Sequence, residues 1–368
     1  MGLSVAYAVR HHNVTLFDPS GLPADNASAR AGGMLAPYAE IDHLPENFLG
    51  AALHGISIWK NIAAKNDIGF MANGSLLVAH KEDEYVLERL AAKLPGVPRI
   101  KAEKIAALEP ALGNRFNAGI YLEQEAHLNP QQVLKALAQD IKFEMQAVAP
   151  QKIAKDFDIV IDARGYRAEM DDKELRGVKG EIAIVRNTEF SLSRPVRVMH
   201  PRYPLYIVPR PGNIFMIGAT VIESADEGLS VKSALELLTT AYSLHPSFGE
   251  AEIMEMRVGI RPAYSNNLPR IGFDGNVIRC NGLFRHGYLM APVMAQCVAD
   301  HIAGRSNNFI SLFLNRHPER SAKREVEGSK TKKDLSTTDL RSSAQDDKKG
   351  ETDDHHDQRA KEKYQRRA

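Results

Sequence analysis

Cysteine is nearly absent. Cys280 and Cys297 are the only two in 368 residues, and they form no Cys-x-x-Cys pair. That excludes a disulfide framework and a cysteine-based zinc scaffold, and it suits a reducing cytoplasm, the expected compartment. Net charge is equally scarce: 47 basic residues against 46 acidic ones leave +1, too little to steer nucleic acid or hold a membrane surface. No apolar run approaches the roughly 20 residues that cross a bilayer. The opening MGLSVAYAVRHH has neither the basic start nor the cleavage site of a signal peptide, and Ala6 stands where a myristoylation motif wants Ser or Thr. No targeting segment, internal repeat, nucleic-acid partner, membrane partner or metal site is therefore expected. The single tryptophan, Trp59, falls in an amphipathic run from Leu44 to Ala64 and reads as core.

What is present is a series of strand-turn-helix units. The most informative is Asn276–Gly304, NVIRCNGLFRHGYLMAPVMAQCVADHIAG. Its β-branched start stops at Asn281-Gly282, and Leu289, Val293, Met294, Cys297, Val298 and Ile302 then recur at helical spacing. Pro292 is expected within the opening turn of that helix, where a missing N–H is tolerated, and Gly304 closes it. Such a unit brings backbone N–H groups and the positive end of a helix dipole to an electron-rich ligand atom, and Arg285 adds a fixed charge. A second unit is Asn13–Phe17, a strand ending in Asp18, where a carboxylate can accept both hydroxyl hydrogens of an adenosine ribose. Asp-Pro-Ser-Gly is also a common turn, so Asp18 alone decides nothing. The glycine-rich loop that should precede it is reduced to Gly2. Asn26–Pro37 combines small residues with a Gly-Gly pair, which lets backbone approach a flat ligand closely or serves simply as a loop.

Helices are expected at Gly2–Val9, Asp83–Leu94, Lys101–Leu108, Asn129–Ala138 and Val231–Leu244. Strands are expected at Gly74–Ala79, Ile120–Leu122, Asp158–Ala163 and Glu252–Ile260. Gly180–Val185, Leu205–Pro209 and Asn213–Gly218, bounded by Pro and Gly, read as antiparallel strands. From Arg316 the chain is almost wholly charged or small and polar, too poor in apolar surface to offset ordering entropy, so a disordered tail is expected over 316–368. Asp353-Asp354-His355-His356-Asp357 within it reads as solvated tail in preference to a weak metal site.

With AYxxxxxxVTLFD, NASARAGGMLAPYAE, YIVPR at Tyr206–Arg210, IGAT at Ile217–Thr220, GIRP at Gly259–Pro262 and NGLFRHGYLMAP in order, the chain resembles the D-amino acid oxidase family of flavoproteins, and within it the glycine oxidases of thiamine biosynthesis. The likeness runs from Gly2 to about Leu314. It implies an α/β fold in which an FAD-binding, Rossmann-like domain of glutathione-reductase type (1–65, 126–174 and 261–315) is interrupted by an α+β mixed-sheet substrate domain (66–125 and 175–260). It implies FAD as cofactor, bound noncovalently, with Asp18 and Pro19 at the ribose and Ser28, Gly32, Gly33 and Met34 along the flavin and its phosphates. Val148 falls near the adenine, and Leu283, Phe284, Arg285, His286, Gly287, Tyr288 and Leu289 at the flavin's pyrimidine end. Arg261 and Tyr206 are implied to bind the substrate carboxylate and Arg285 the substrate and flavin edge; no catalytic acid or base is assigned.

The implied activity is oxidation of glycine or another small amino acid to the imine, with O2 reduced to H2O2. Sarcosine or a D-amino acid shares every motif, because pocket walls and not the carboxylate clamp decide between them. Arg261 as a structural ion pair and Tyr206 as a plain strand aromatic stand as the plainer alternatives, and His286 reads as packing. A homo-oligomer is left open. The family's first strand, central in the parallel sheet, has no counterpart here, which would leave its two neighbours unpaired on one side. The expectation drawn is a start short of the natural one or a decayed, non-catalytic copy.

Overall fold

The computed structural model describes residues 1–314 except 23, 24, 95, 202 and 203. The tail expected to be disordered lies outside the described residues. An eight-stranded mixed sheet dominates. Its order is Glu252–Ala263, Arg176–Arg186, Ile214–Gly218, Leu205–Arg210, Val196–Val198, Ser75–Val78, Ala118–Leu122 and Arg99–Lys101. Every neighbouring pair is antiparallel except Val196–Val198 with Ser75–Val78. The period-2 alternation of these strands gives the sheet two different faces. Ala183, Val185, Ile207, Phe215 and Ile217 point to one side, where they pack with Leu237, Ala241 and Leu244 of the helix Val231–Leu244. That helix starts where the Ser230 side chain accepts the Ser233 N–H. Ile182, Val208 and Met216 point to the other side, with Tyr206 and Met34 against them.

The other parallel pairs fall in two smaller sheets. Thr15–Phe17 pairs with Lys142–Glu144. Val160–Asp162 pairs with Val277–Asn281, whose other neighbour is the antiparallel Arg270–Asp274. Among the described residues no strand joins the two sheets. Gly2 lies between them: a Cβ there would sit 3.6 Å from the Ala163 Cβ and 3.8 Å from Leu16 Cδ1. The helix Gly2–Ala8 packs on the long helix Gly287–Ile302.

Helices Leu49–Ala63 and Gly287–Ile302 form the centre of the second core with Trp59, Val293, Met294 and Cys297. The long helix begins at Gly287, so Pro292 sits inside it and not in its opening turn as the spacing suggested. An interior proline removes the donor that would bond the carbonyl four residues earlier, that of Tyr288. Trp59 supplies the replacement, its indole N–H donating to the Tyr288 carbonyl at 2.7 Å. The tryptophan is therefore core, as expected, but with a specific polar task. No helix among the described residues is long and apolar enough to cross a membrane.

Candidate active site

The candidate site lies on the sheet face that carries Tyr206. Across neighbouring strands the register aligns Arg197 with Tyr206, Tyr206 with Gly218, Gly218 with Ile182, and Ile182 with Arg257. Two residues along the same edge strand come Gly259, opposite Gly180, and then Arg261, opposite Val178. By parity all of these side chains face the same way. The Arg261 guanidinium lies directly over Gly180, where a Cβ would stand only 2.1 Å from its Nη2. Glycine at 180 is what leaves room for it. Arg261 Nη1 donates to the carbonyls of Thr220 (3.0 Å) and Lys179 (3.3 Å), and among the described residues no carboxylate pairs with it. Burial lowers its pKa to about 10, partly opposed by the nearby Tyr206; the group remains a cation at neutral pH.

The loop Gly282–His286 joins the face at its edge. The Phe284 N–H donates to the Pro262 carbonyl at 2.9 Å, which ties the loop to the strand just past Arg261. Phe284 holds a left-handed φ of 46° to do so. Arg285 then points to Glu40, its Nη2 2.9 Å from Oε1. The same oxygen accepts Nη1 and Nη2 of the buried Arg197, both at 3.0 Å. Burial by itself would raise the Glu40 carboxyl, yet Arg285 and Arg197 hold it at about 2. Arg197 also lies over the Tyr206 ring, 5.8 Å from its centroid. Glu40 and Arg197 were not singled out from the sequence. Arg197 had a signal, a lone charge inside the apolar run Val196–Val198; Glu40 had only its place at the end of a recognised motif.

Gly32 and Gly33 run above the face. The Gly32 carbonyl accepts Arg210 Nη2 at 2.7 Å, and a Cβ on Gly32 would meet Met216 Cε at 2.8 Å and the Tyr206 ring at 2.9 Å. On Gly33, at φ 63°, it would meet the Leu128 carbonyl at 2.3 Å. The missing side chains are thus used for close packing of the segment on its own protein, while Met34 continues as a short strand paired with His127. A cleft of about 550 Å³ opens beside this segment, with Ala31, Arg210, Ile182 and Met216 in its wall. Ser28 is tied to the long helix, its carbonyl accepting the Tyr288 hydroxyl at 2.9 Å.

The remaining cofactor candidates gather at two places. Asp18 follows the C-terminal end of its strand, where its oxygen accepts the Ser20 N–H at 2.8 Å and stands 3.7 Å from Arg167. Pro19 is exposed beside it, and Val148 lies four residues past the paired strand Lys142–Glu144. Leu283, Phe284 and His286 are buried, and Gly287, Tyr288 and Leu289 form the first turn of the long helix, which no side chain caps. Burial lowers the His286 pKa to about 4, so the imidazole is neutral at pH 7 and packs without charge.

Three comparisons bear on this geometry. The family described as "DAO: FAD dependent oxidoreductase" matches residues 1–301. A putative thiamine biosynthesis oxidoreductase, ThiO, of Rhizobium etli is 42% identical over 304 residues, covering 81% of this chain and 92% of that protein. A glycine oxidase of Bacillus licheniformis is 26% identical over 341 residues, covering 83% of this chain and 90% of its own length. Among solved structures, glycine oxidase from Geobacillus kaustophilus has a TM-score of 0.73 at 23% identity, over 86% of this chain and 95% of that one, a likeness of fold.

Proposed function

The chain belongs to the DAO family of FAD-dependent oxidoreductases, and from that premise we propose that it oxidises glycine or a similarly small amino acid to the imine, with O2 as electron acceptor, H2O2 as co-product and the thiazole branch of thiamine synthesis as destination. The observation that carries the reading is Arg261, a partly buried guanidinium with backbone carbonyls on one nitrogen and no carboxylate partner among the described residues. Its planar fork offers parallel donors to a substrate carboxylate, a geometry a lysine cannot reproduce. Tyr206, on the same face, closes one side of a small site and can donate a further bond.

The residues present fit FAD. Asp18 stands at a strand end with a single N–H bond to its carboxylate, and the first turn of Gly287–Ile302 offers uncapped N–H groups beside Leu283–His286. In this reading Asp18 holds the ribose, and the start of the long helix holds the flavin's pyrimidine edge, where backbone donors and the helix dipole favour negative charge. Bound FAD supplies the two-electron oxidant that takes a hydride from the substrate Cα–H bond. The protein's own part is to fix the carboxylate at Arg261 and Tyr206, to orient Cα, and to keep His286 neutral and packed; no side chain is required as a strong base once the amine is unprotonated. The division into a cofactor part and a substrate part belongs to the same proposal. It is supported by the strands themselves: the parallel pairs Thr15–Phe17 with Lys142–Glu144 and Val160–Asp162 with Val277–Asn281 lie within 1–65, 126–174 and 261–315, whereas the eight-stranded sheet comes from 66–125 and 175–260, passing the boundary only at its edge strand.

Purified FAD-loaded protein is assayed for peroxide with glycine, sarcosine and D-alanine side by side. Highest kcat/KM with glycine is expected. A preference for sarcosine or D-alanine moves the assignment within the family, and a protein that holds FAD yet is reduced by none of the three sinks the reading.

A further inference from the structure

We propose that Glu40 is the acceptor for the substrate's amine, the second half of an amino-acid site whose first half is Arg261; this rests on the amino acid oxidase reading above. The two residues are unsatisfied in opposite senses. Glu40 is 7% exposed, and three arginine N–H groups converge on Oε1 while Oε2 has no partner among the described residues. A buried carboxylate oxygen without a donor costs free energy, and an ionised carboxylate can accept about four hydrogen bonds. Arg261 uses Nη1 on two carbonyls and leaves the Nε and Nη2 edge, the side-on fork that suits a carboxylate, without a described partner. A zwitterionic amino acid carries the matching pair, an acid for the fork and an N–H donor for Oε2. Arg261 and Arg197, the arginine that holds Glu40, stand on the same sheet face, with Tyr206 beneath Arg197, so the two halves are presented on one side of the sheet.

Two further features make Glu40 suited to this and not merely to holding arginines. Both of its cation partners bind one oxygen, so Oε2 can take a further donor while the arginine cluster stays in place. Arg197 and Arg285 also keep it ionised, so its charge is in place before substrate arrives. A carboxylic acid without an amine would use only half of this arrangement, and its own charge would be repelled by Glu40.

The test compares glycine and sarcosine with acetate, which keeps the carboxylate and lacks the amine, on the FAD-loaded wild type and Glu40→Gln. Affinity for the amino acids is read from anaerobic bleaching of the flavin band against concentration, and for acetate from perturbation of the same band at equilibrium. E40Q is expected to weaken glycine at least tenfold while acetate binds as tightly as before or more tightly, because a negative charge beside Arg261 has gone. Equal weakening of both ligands, the mark of displaced arginines, overturns the proposal, as does unchanged glycine affinity. If E40Q fails to fold or retain FAD, the double variant E40Q/R197M, which removes one cation with the anion, must show the same split. A wild type that binds acetate but is bleached by no amino acid refutes the oxidase reading; a wild type bleached by glycine with E40Q unaltered refutes Glu40 alone.

Discussion

The two halves of the molecule are built to different standards. The sheet that carries Tyr206, Arg197 and Arg261 has eight strands, with Glu255–Ala263 in unbroken register against its neighbour, and is covered on one face by a capped helix. The parallel part, which carries Asp18 at one end and the long helix at the other, consists of a two-stranded and a three-stranded sheet with Gly2 between them. A long paired strand fixes side-chain direction residue by residue, because every second position must return to the same face. Short strands leave positioning to turns and helix ends. The residues proposed to face substrate thus owe their geometry to register, whereas those proposed to face the cofactor owe theirs to local turns and to helix packing.

The sharpest way to break this contrast is at Arg261. R261K keeps charge and strand but loses the fork, and kcat/KM should fall on the order of a thousandfold, roughly 4 kcal/mol, with FAD content and melting temperature nearly unchanged; a loss under tenfold would place the carboxylate elsewhere. Next in size is acid stability through Glu40. Its carboxyl lies near 2 in the folded protein against an ordinary 4.5, so the stabilisation, roughly 3 kcal/mol, is complete above about pH 4.5 and disappears as pH falls towards 2. The melting-temperature gap between wild type and E40Q should close across that window; a gap that is the same at both ends contradicts the assignment.

On the helix side, W59F leaves the Tyr288 carbonyl without a donor, since Pro292 has none to give, and should cost about 2 kcal/mol in denaturant unfolding. P292A added to it restores a backbone N–H and should recover part of that loss, whereas a purely additive pair would show that the indole bond is incidental. The smallest effect is expected at Asp18. D18N keeps the turn bond to the Ser20 N–H and loses one charged acceptor, so FAD should bind about tenfold more weakly with kcat intact at saturating cofactor; equal FAD affinity would remove Asp18 from the ribose.

Much of this was legible in the sequence. Val231–Leu244 could be read at both ends because Ser230 caps it and His245-Pro246 follows it, both local signals. Arg261, Tyr206 and Arg285 came from motifs, and the structure brings all three to one face. What escaped depends on distance along the chain. Val196–Val198, Arg99–Lys101 and Lys142–Glu144 are three-residue strands whose pairing partners make them strands, and none has a period long enough to announce itself. Pro292 was misplaced because the apolar pattern starts at Leu289, two residues after the helix does. Glu40 meets Arg197 across 157 residues and Arg285 across 245, and no local pattern encodes such a meeting.

Alternating strands, helix caps and glycine positions were written into the order of residues, since each acts over a few bonds through backbone sterics and side-chain periodicity. Which arginine would be left without an anion, which oxygen without a donor, and whose N–H would replace the one a proline lacks were decided only when remote segments packed together. Charge and hydrogen-bond satisfaction are properties of neighbours in space, and those neighbours are chosen by the fold as a whole.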